Sequence, residues 1–361
     1  MANIIIAPNK YVQGKGELAN IKSHVEKLGS KAFILVSESG LARVRKTLEE
    51  SFGGFPFVFE TFNGECCKTE IKRLIAKLND CDVIIGIGGG KILDTAKAVA
   101  HDTKKPVAIV PTIASTDAPC SALSVIYTDD GVFEEYMFLP ANPNLVLVDT
   151  DIVAAAPARL LISGMGDALA TYFEARATAN SNSTTCAGGT ITKAALALAK
   201  LCYDTLIEKG LEARLAVEKH VCTRAVEDVI EANTFLSGIG FESGGLAGAH
   251  AIHNGFTVLP ACHAFYHGEK VAFGTLTQLM LENVPTEELC EVYDFCETVG
   301  LPTTLADIGL DSVSDDDIMA VANATCAPGE SIYNMPMEIT PDKIFAAIKA
   351  ADAFGEYYKE L

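Results

Sequence analysis

At 361 residues, 49% of them apolar, the chain is long enough for two domains around a large buried core. Acidic residues outnumber basic ones by 19, which argues against nucleic acid and anionic membrane surfaces as partners, since both call for basic patches. Eleven scattered cysteines with no C-x-x-C spacing, and a start (MANIIIAP) lacking a basic leader, predict reduced thiols in a cytoplasmic protein with no disulfide framework and no membrane span.

Taken in order, the first 150 residues alternate strand and helix patterns. Asn3–Ala7 reads as a short strand, the stretch to Gly16 as a loop, and Glu17–Leu28 as a helix closed by Gly29. Ala32–Val36 and Phe57–Glu60 read as strands, with helices at Leu41–Phe52 and Lys68–Leu78. A strand at Val83–Ile85 runs into glycines and a helix, and Val107–Val110 follows as a further strand. Ser124–Tyr127 and Glu134–Phe138 flank an Asp130-Gly131 hairpin turn, and Asn144–Val148 is the last strand. This rhythm predicts a mostly parallel sheet covered on both faces, with ligands at the carboxyl ends of its strands. Beyond Asp149, alanine-rich helical segments dominate, among them Gly166–Ala177, Thr190–Glu208, Leu211–Ser237, Gly244–Ala251 and Gly268–Leu281. The expected division is a dinucleotide-binding α/β domain over residues 1–159 and an all-α metal-binding domain over 160–361.

The stretch CDVIIGIGGGKILDTAKAVA, Cys81 to Ala100, carries the first functional signal. Gly86, Gly88, Gly89 and Gly90 let the backbone turn sharply, and the helix from about Lys91 offers unpaired N–H groups and a positive dipole end to a diphosphate. Neither G-x-G-x-x-G nor the P-loop pattern fits: Lys91 stands where the third glycine belongs, and Ile92 where a P-loop has serine or threonine. Thr112, Ser115, Thr116 and Asp117 bunch after the next strand, at the same predicted sheet edge, where hydroxyls suit phosphate and ribose. The ribose position after the second strand is held by Ser37, with Glu38 as the alternative.

Four of seven histidines, His250, His253, His263 and His267, fall within eighteen residues. Imidazole is the commonest ligand for zinc- and iron-type ions, and two imidazoles with one carboxylate leave a position open for substrate. Spacing alone does not select the pair. Asp167, just inside a predicted helix after two glycines, is the carboxylate candidate. Cys120 and Cys262 have no evident activating base and read as ordinary buried thiols.

Together, KYVQGK, GGGKILDTAKAVA, PTIASTDAPCSALSVIYTDDGVFE, NLVLVDT, GMGDALATYFEAR, FESGGLAGAHAIHNGF and HGEKVAFGTL resemble the iron-containing (group III) alcohol dehydrogenases, and within them the glycerol-oxidising branch. The architecture is also shared with dehydroquinate synthase, a lyase whose anionic substrate would need basic residues not seen around these motifs. The resemblance implies Asp167, His250 and His267 as metal ligands, for zinc or else Fe2+, with His253 a neighbour and His263 non-ligating. It implies Gly88, Gly89, Gly90, Lys91 and Asp94 at the diphosphate turn. Thr112, Ser115, Ser121, Leu123 and Tyr127 match cofactor contacts, and Asp117 a substrate contact. Ser37 occupies the ribose aspartate position, which motivates an alternative, NADP-dependent hydroxycarboxylate or 2-oxoacid reading. Thr171 stands where four-ligand relatives carry a histidine. The implied reaction is hydride transfer between NAD and a small polyol, glycerol to dihydroxyacetone and back, in a cleft between the domains. A homo-oligomer, often an octamer, is also implied.

Overall fold

The computed structural model describes residues 1–360, which divide into two compact units. One is formed by residues 6–158 and 216–238, the other by 1–5, 159–215 and the described residues from 239 onward.

The first unit is built on β1 (Tyr11–Gly14), β2 (Ala32–Val36), β3 (Phe57–Thr61), β4 (Val83–Gly88) and β5 (Val107–Pro111), then the hairpin pair β6 (Leu123–Tyr127) and β7 (Phe133–Phe138), and finally β8 (Leu145–Asp149). Six of these form one sheet in the order β1-β8-β5-β4-β2-β3, and every pairing in it is parallel. Strands β2, β4, β5 and β8 are buried along their whole length. That is why they read in the sequence as unbroken apolar runs rather than alternating ones. Ile34, Val36, Ile85, Ile87, Val110 and Leu147 belong to the core on this sheet. The Gly90–Thr103 helix packs onto β4 so closely that a Cβ on Gly86 would stand 2.6 Å from the Cβ of Ala96. The sheet order reverses between β2 and β4, so the loops leaving these two strands flank the crevice where α/β sheets bind ligands.

Three local expectations change. Asn3–Ala7 is not a strand: Asn3 makes a single bridge to Thr190, both of them in the second unit. The edge strand is Tyr11–Gly14 instead, which pairs with β8 and lays Tyr11 against Phe235, ring centroids 4.5 Å apart. Glu17–Leu28 is a 3-10 turn over Glu17–Asn20 followed by a short helix, Ile21–Val25. The continuous helix expected over Leu211–Ser237 breaks after Val217, where His220 takes a left-handed φ of 54°, and Thr223 caps a new helix by accepting from the Val226 N–H.

That break has a reason in the α/β unit. The chain from Ala216 to Gly238 belongs there, although the sequence boundary at Arg159 would assign it to the helical part. Asn233 Nδ2 donates to the Ala114 carbonyl at 3.0 Å, the Ser237 hydroxyl donates to Asp117 Oδ2 at 2.9 Å, and Gln13 Nε2 donates to the Glu227 carbonyl at 2.8 Å. Asn233 lies in a π-helical stretch, Ala232–Leu236, a geometry often found beside functional sites.

The second unit is helical. Its long elements include Ala158–Ser181, Lys193–Val217, Gly248–Phe256, His267–Glu282, Thr286–Val299 and Pro341–Lys359. Among the described residues, no helix is long and apolar enough to cross a membrane.

Gly86→Ala is expected to destabilise the protein by about 1–3 kcal/mol, because neither the sheet nor the helix backbone can yield to the added methyl. A shift of the urea unfolding midpoint to lower concentration checks it.

Candidate metal centre and cofactor edge

Asp167 lies on the Ala158–Ser181 helix, His250 on the Gly248–Phe256 helix, and His267 opens the His267–Glu282 helix. These helices meet at backbone contacts that leave no room for side chains. A Cβ on Gly268 would fall 1.8 Å from the Ser163 carbonyl oxygen, and one on Gly274 would fall 2.4 Å from that of Ala249. The first contact brings His267 beside Asp167; the second brings the helix of His250 against that of His267. As a result Asp167 Oδ1 stands 3.3 Å from His250 Nε2 and 3.1 Å from His267 Nε2, and one ligand atom from each residue lies within 4.8 Å of the others.

The donor set fits a divalent cation. A carboxylate and two imidazoles are the ligands that zinc and iron take, and three protein ligands leave a coordination position for substrate. A carboxylate oxygen this close to two imidazole nitrogens shares either hydrogens or a cation with them. In the protein alone, burial would raise the Asp167 carboxyl, but His267 and His250 outweigh it and hold it well below the usual carboxylate range. Burial likewise lowers His250, but Glu174 and Asp167 outweigh it and raise it well above an ordinary imidazole. The Asp167 side chain is 1% exposed and that of His267 38%, so the centre is open to solvent on the His267 side.

The other histidines separate. His263 is exposed, and its Nε2 donates to the Thr257 carbonyl at 3.0 Å, away from the cluster. His253 Nε2 lies 3.2 Å from His267 Nδ1, and His253 Nδ1 lies 3.1 Å from Asn254 Oδ1, whose Nδ2 donates to Glu330 Oε2 at 3.0 Å. Burial, with His267 and Lys270 nearby, keeps His253 well below the usual imidazole pKa, as suits a neutral ring that accepts from one neighbour and donates to the next. Thr171 is fully buried and packs on Gly240, its methyl 2.4 Å from where a Cβ on Gly240 would be. Cys262 is buried, which pushes its thiol up to about 11, the mark of an inert cysteine.

The cofactor candidates lie in the α/β unit. Gly88 ends β4 and Gly89 precedes the Gly90–Thr103 helix, which no side chain caps. Nothing stands within 4 Å of a Cβ position on Gly90, so a diphosphate can reach the helix start. Lys91 pairs with Glu65 at 2.6 Å and lies over the Tyr127 ring, 5.2 Å from its centroid. Thr112 donates its N–H to the Gly88 carbonyl at 3.0 Å, tying the two strand-end loops together, and Ser115 is half-buried in the second of them. Leu123 and Tyr127 share the half-buried face of β6. Ser37 ends the neighbouring β2 turn as the cap of the Glu38–Phe52 helix, its hydroxyl accepting from the Gly40 N–H at 3.1 Å, while Glu38 is exposed.

Two residues that hold these segments are missed by sequence reasoning. Lys97, 1% exposed, pairs with Asp94 at 2.9 Å and donates to the carbonyls of Ala118 and Leu123. Asp94 also accepts from the Val125 N–H at 3.1 Å, so the pair fastens the 118–125 segment, with Ser121 and Leu123, to the helix of the glycine turn. A charged residue in the middle of an otherwise buried helix, three after an acid, is the available signal for it. Glu174 is the second. It lies seven residues, two helical turns, beyond Asp167 on the same face.

With this geometry in view, comparison with known proteins is specific. Residues 8–150 match the family model "Iron-containing alcohol dehydrogenase". A glycerol dehydrogenase of Escherichia coli O6:H1 is 55% identical over 99% of both chains. The solved structure of a glycerol dehydrogenase from Schizosaccharomyces pombe is 43% identical, with a TM-score of 0.96 over 99% of this chain and 92% of that one. That of a probable glycerol dehydrogenase from Sinorhizobium meliloti 1021 is 46% identical, with a TM-score of 0.93 over 99% and 100%. The chain belongs to the iron-containing alcohol dehydrogenase family. It is an oxidoreductase of alcohols or polyols, and its place in the family is among the glycerol dehydrogenases.

Lys97→Met is expected to cost about 3–5 kcal/mol, because it leaves the Asp94 carboxylate buried without its cation. Adding Asp94→Asn should recover part of the loss, which chemical denaturation of the single and double variants measures.

Proposed function

We propose that the protein oxidises glycerol to dihydroxyacetone with NAD, and the reverse, using one divalent cation held by Asp167, His250 and His267. The observation that supports this reading most is the convergence of one buried carboxylate and two imidazoles on a single point, in a chain 55% identical to a glycerol dehydrogenase. The ion, zinc or Fe2+, would supply Lewis acidity that makes an alcohol hydroxyl easier to deprotonate. The nicotinamide would take up the hydride.

The chain's own residues then have separate tasks. Asp167 places a negative charge at the centre of the site, shielded from water, and so offsets the charge of the cation. His267, the more exposed of the two imidazoles, borders the side from which a substrate enters. Asp117 is 8% exposed and is fixed by the Ser237 hydroxyl, which suits a carboxylate that accepts a hydrogen bond from a polyol hydroxyl. Gly88, Gly89 and Gly90 let the diphosphate approach the helix N-terminus, and Lys91 supplies the adjacent positive charge. Thr112, Ser115, Ser121, Leu123 and Tyr127 line the edge along which the rest of the cofactor lies.

Purified protein with zinc, NAD and glycerol should produce the reduced-nicotinamide absorbance; its absence overturns the proposal. Asp167→Ala should reduce turnover by roughly 100-fold or more, the worth of several kcal/mol of Lewis-acid stabilisation, while NAD binding persists. Ser37 leaves the ribose position without the carboxylate that would repel a 2′-phosphate. Ser37→Asp is therefore expected to reduce use of NADP relative to NAD by roughly tenfold or more, read as the ratio of kcat/KM for the two cofactors.

A further inference from the structure

Glu174 makes three hydrogen bonds, all to the segment that carries His250. Its Oε1 accepts from the backbone N–H of Ala247 at 2.8 Å and of His250 at 2.9 Å. Its Oε2 lies 2.6 Å from His250 Nδ1. The side chain is fully buried. An ionised carboxylate can only accept hydrogen bonds, so the Nδ1 facing it is the nitrogen that carries hydrogen. In a neutral imidazole that leaves Nε2 bare, and Nε2 is the atom turned toward Asp167, at 3.3 Å. Glu174 and Asp167 are two turns apart on one helix, so a single rigid element sets both the carboxylate ligand and the orientation of the imidazole opposite it.

We propose that Glu174 is a positioning residue for the metal centre: it locks His250 in the tautomer whose Nε2 lone pair faces the ion, and thereby sets the affinity for the cation. This rests on the reading of Asp167, His250 and His267 as a metal site. The second contribution of Glu174, to the start of the Gly248–Phe256 helix, is separable from the first. In Glu174→Gln the amide oxygen still accepts from Ala247 and His250, but the amide NH2 then faces Nδ1. Nδ1 must become the acceptor, which moves the imidazole hydrogen to Nε2 and blocks the ligand atom. With the amide flipped, the NH2 meets two backbone N–H donors instead. The orientation of glutamine that keeps all three hydrogen bonds is therefore the one that places the imidazole hydrogen on Nε2.

The test is zinc binding to the purified full-length protein, measured by competition with a chromophoric chelator for the parent, Glu174→Gln and His250→Ala, together with the melting temperature of each metal-free protein. Glu174→Gln is expected to bind zinc about 10–100-fold more weakly, the usual effect of removing the partner that orients a ligating histidine, with its metal-free melting temperature close to that of the parent. Binding by Glu174→Gln within twofold of the parent, where His250→Ala loses it, overturns this inference alone. A parent protein that takes up no zinc, or a His250→Ala variant that keeps it, overturns the site reading and the inference with it.

Discussion

The centre depends on how closely three helices can approach. Glycine at 268 and at 274 lets backbone rest on backbone, at Ser163 and at Ala249, where any larger residue would force the helices apart. That contact brings Asp167, His250 and His267 to hydrogen-bond range from well-separated parts of the chain. Imidazoles and carboxylates on flexible loops would face a large entropic cost to reach the same arrangement. Here the helices carry that constraint, and the packing that fixes them is the interior of the unit itself.

Much of this was legible. Unbroken apolar runs such as Ala32–Val36 and Val83–Ile85 announce strands buried on both faces, and the parallel sheet follows from their alternation with helices. The glycines before Lys91 and the crowding of histidines after Gly248 are the signals in the sequence for the two candidate edges. The selection among the histidines came from family resemblance, not from spacing; geometry now separates exposed His263, bonded to a backbone carbonyl, from His250 and His267. What stayed hidden has a common cause. Tyr11–Gly14 is a half-buried edge strand of four residues, too short for a period to show. Lys97 and Glu174 are charged residues in buried positions, so polarity alone suggests solvent, and only their partners far along the chain reveal why each is there. The helix break at Val217 depends on the cap at Thr223 and on a turn at His220 that an alanine- and leucine-rich pattern does not display.

The α/β unit has its own internal fastening. The buried Lys97–Asp94 pair joins the helix behind the glycine turn to the segment holding Ser121 and Leu123. A buried ion pair of this kind adds little net stability against an apolar alternative, but it fixes one arrangement among several. The helix after the glycine turn and the 118–125 segment are thereby held in one arrangement relative to each other.

The stretch from Ala216 to Gly238 also bears on how the protein is made. The ribosome finishes the α/β strands long before it reaches Asn233 and Ser237, the residues that grip the loop of Ala114 and Asp117. Until those residues emerge, the nascent sheet has its strands but lacks part of its wall, while the helices between them in sequence wait for the remainder of their own unit. A gene fragment ending at the visible change in composition near Arg159 would therefore encode a sheet whose Ala114–Asp117 loop lacks its Asn233 and Ser237 partners. Because segments of the two units alternate along the chain, no single cut yields both of them whole.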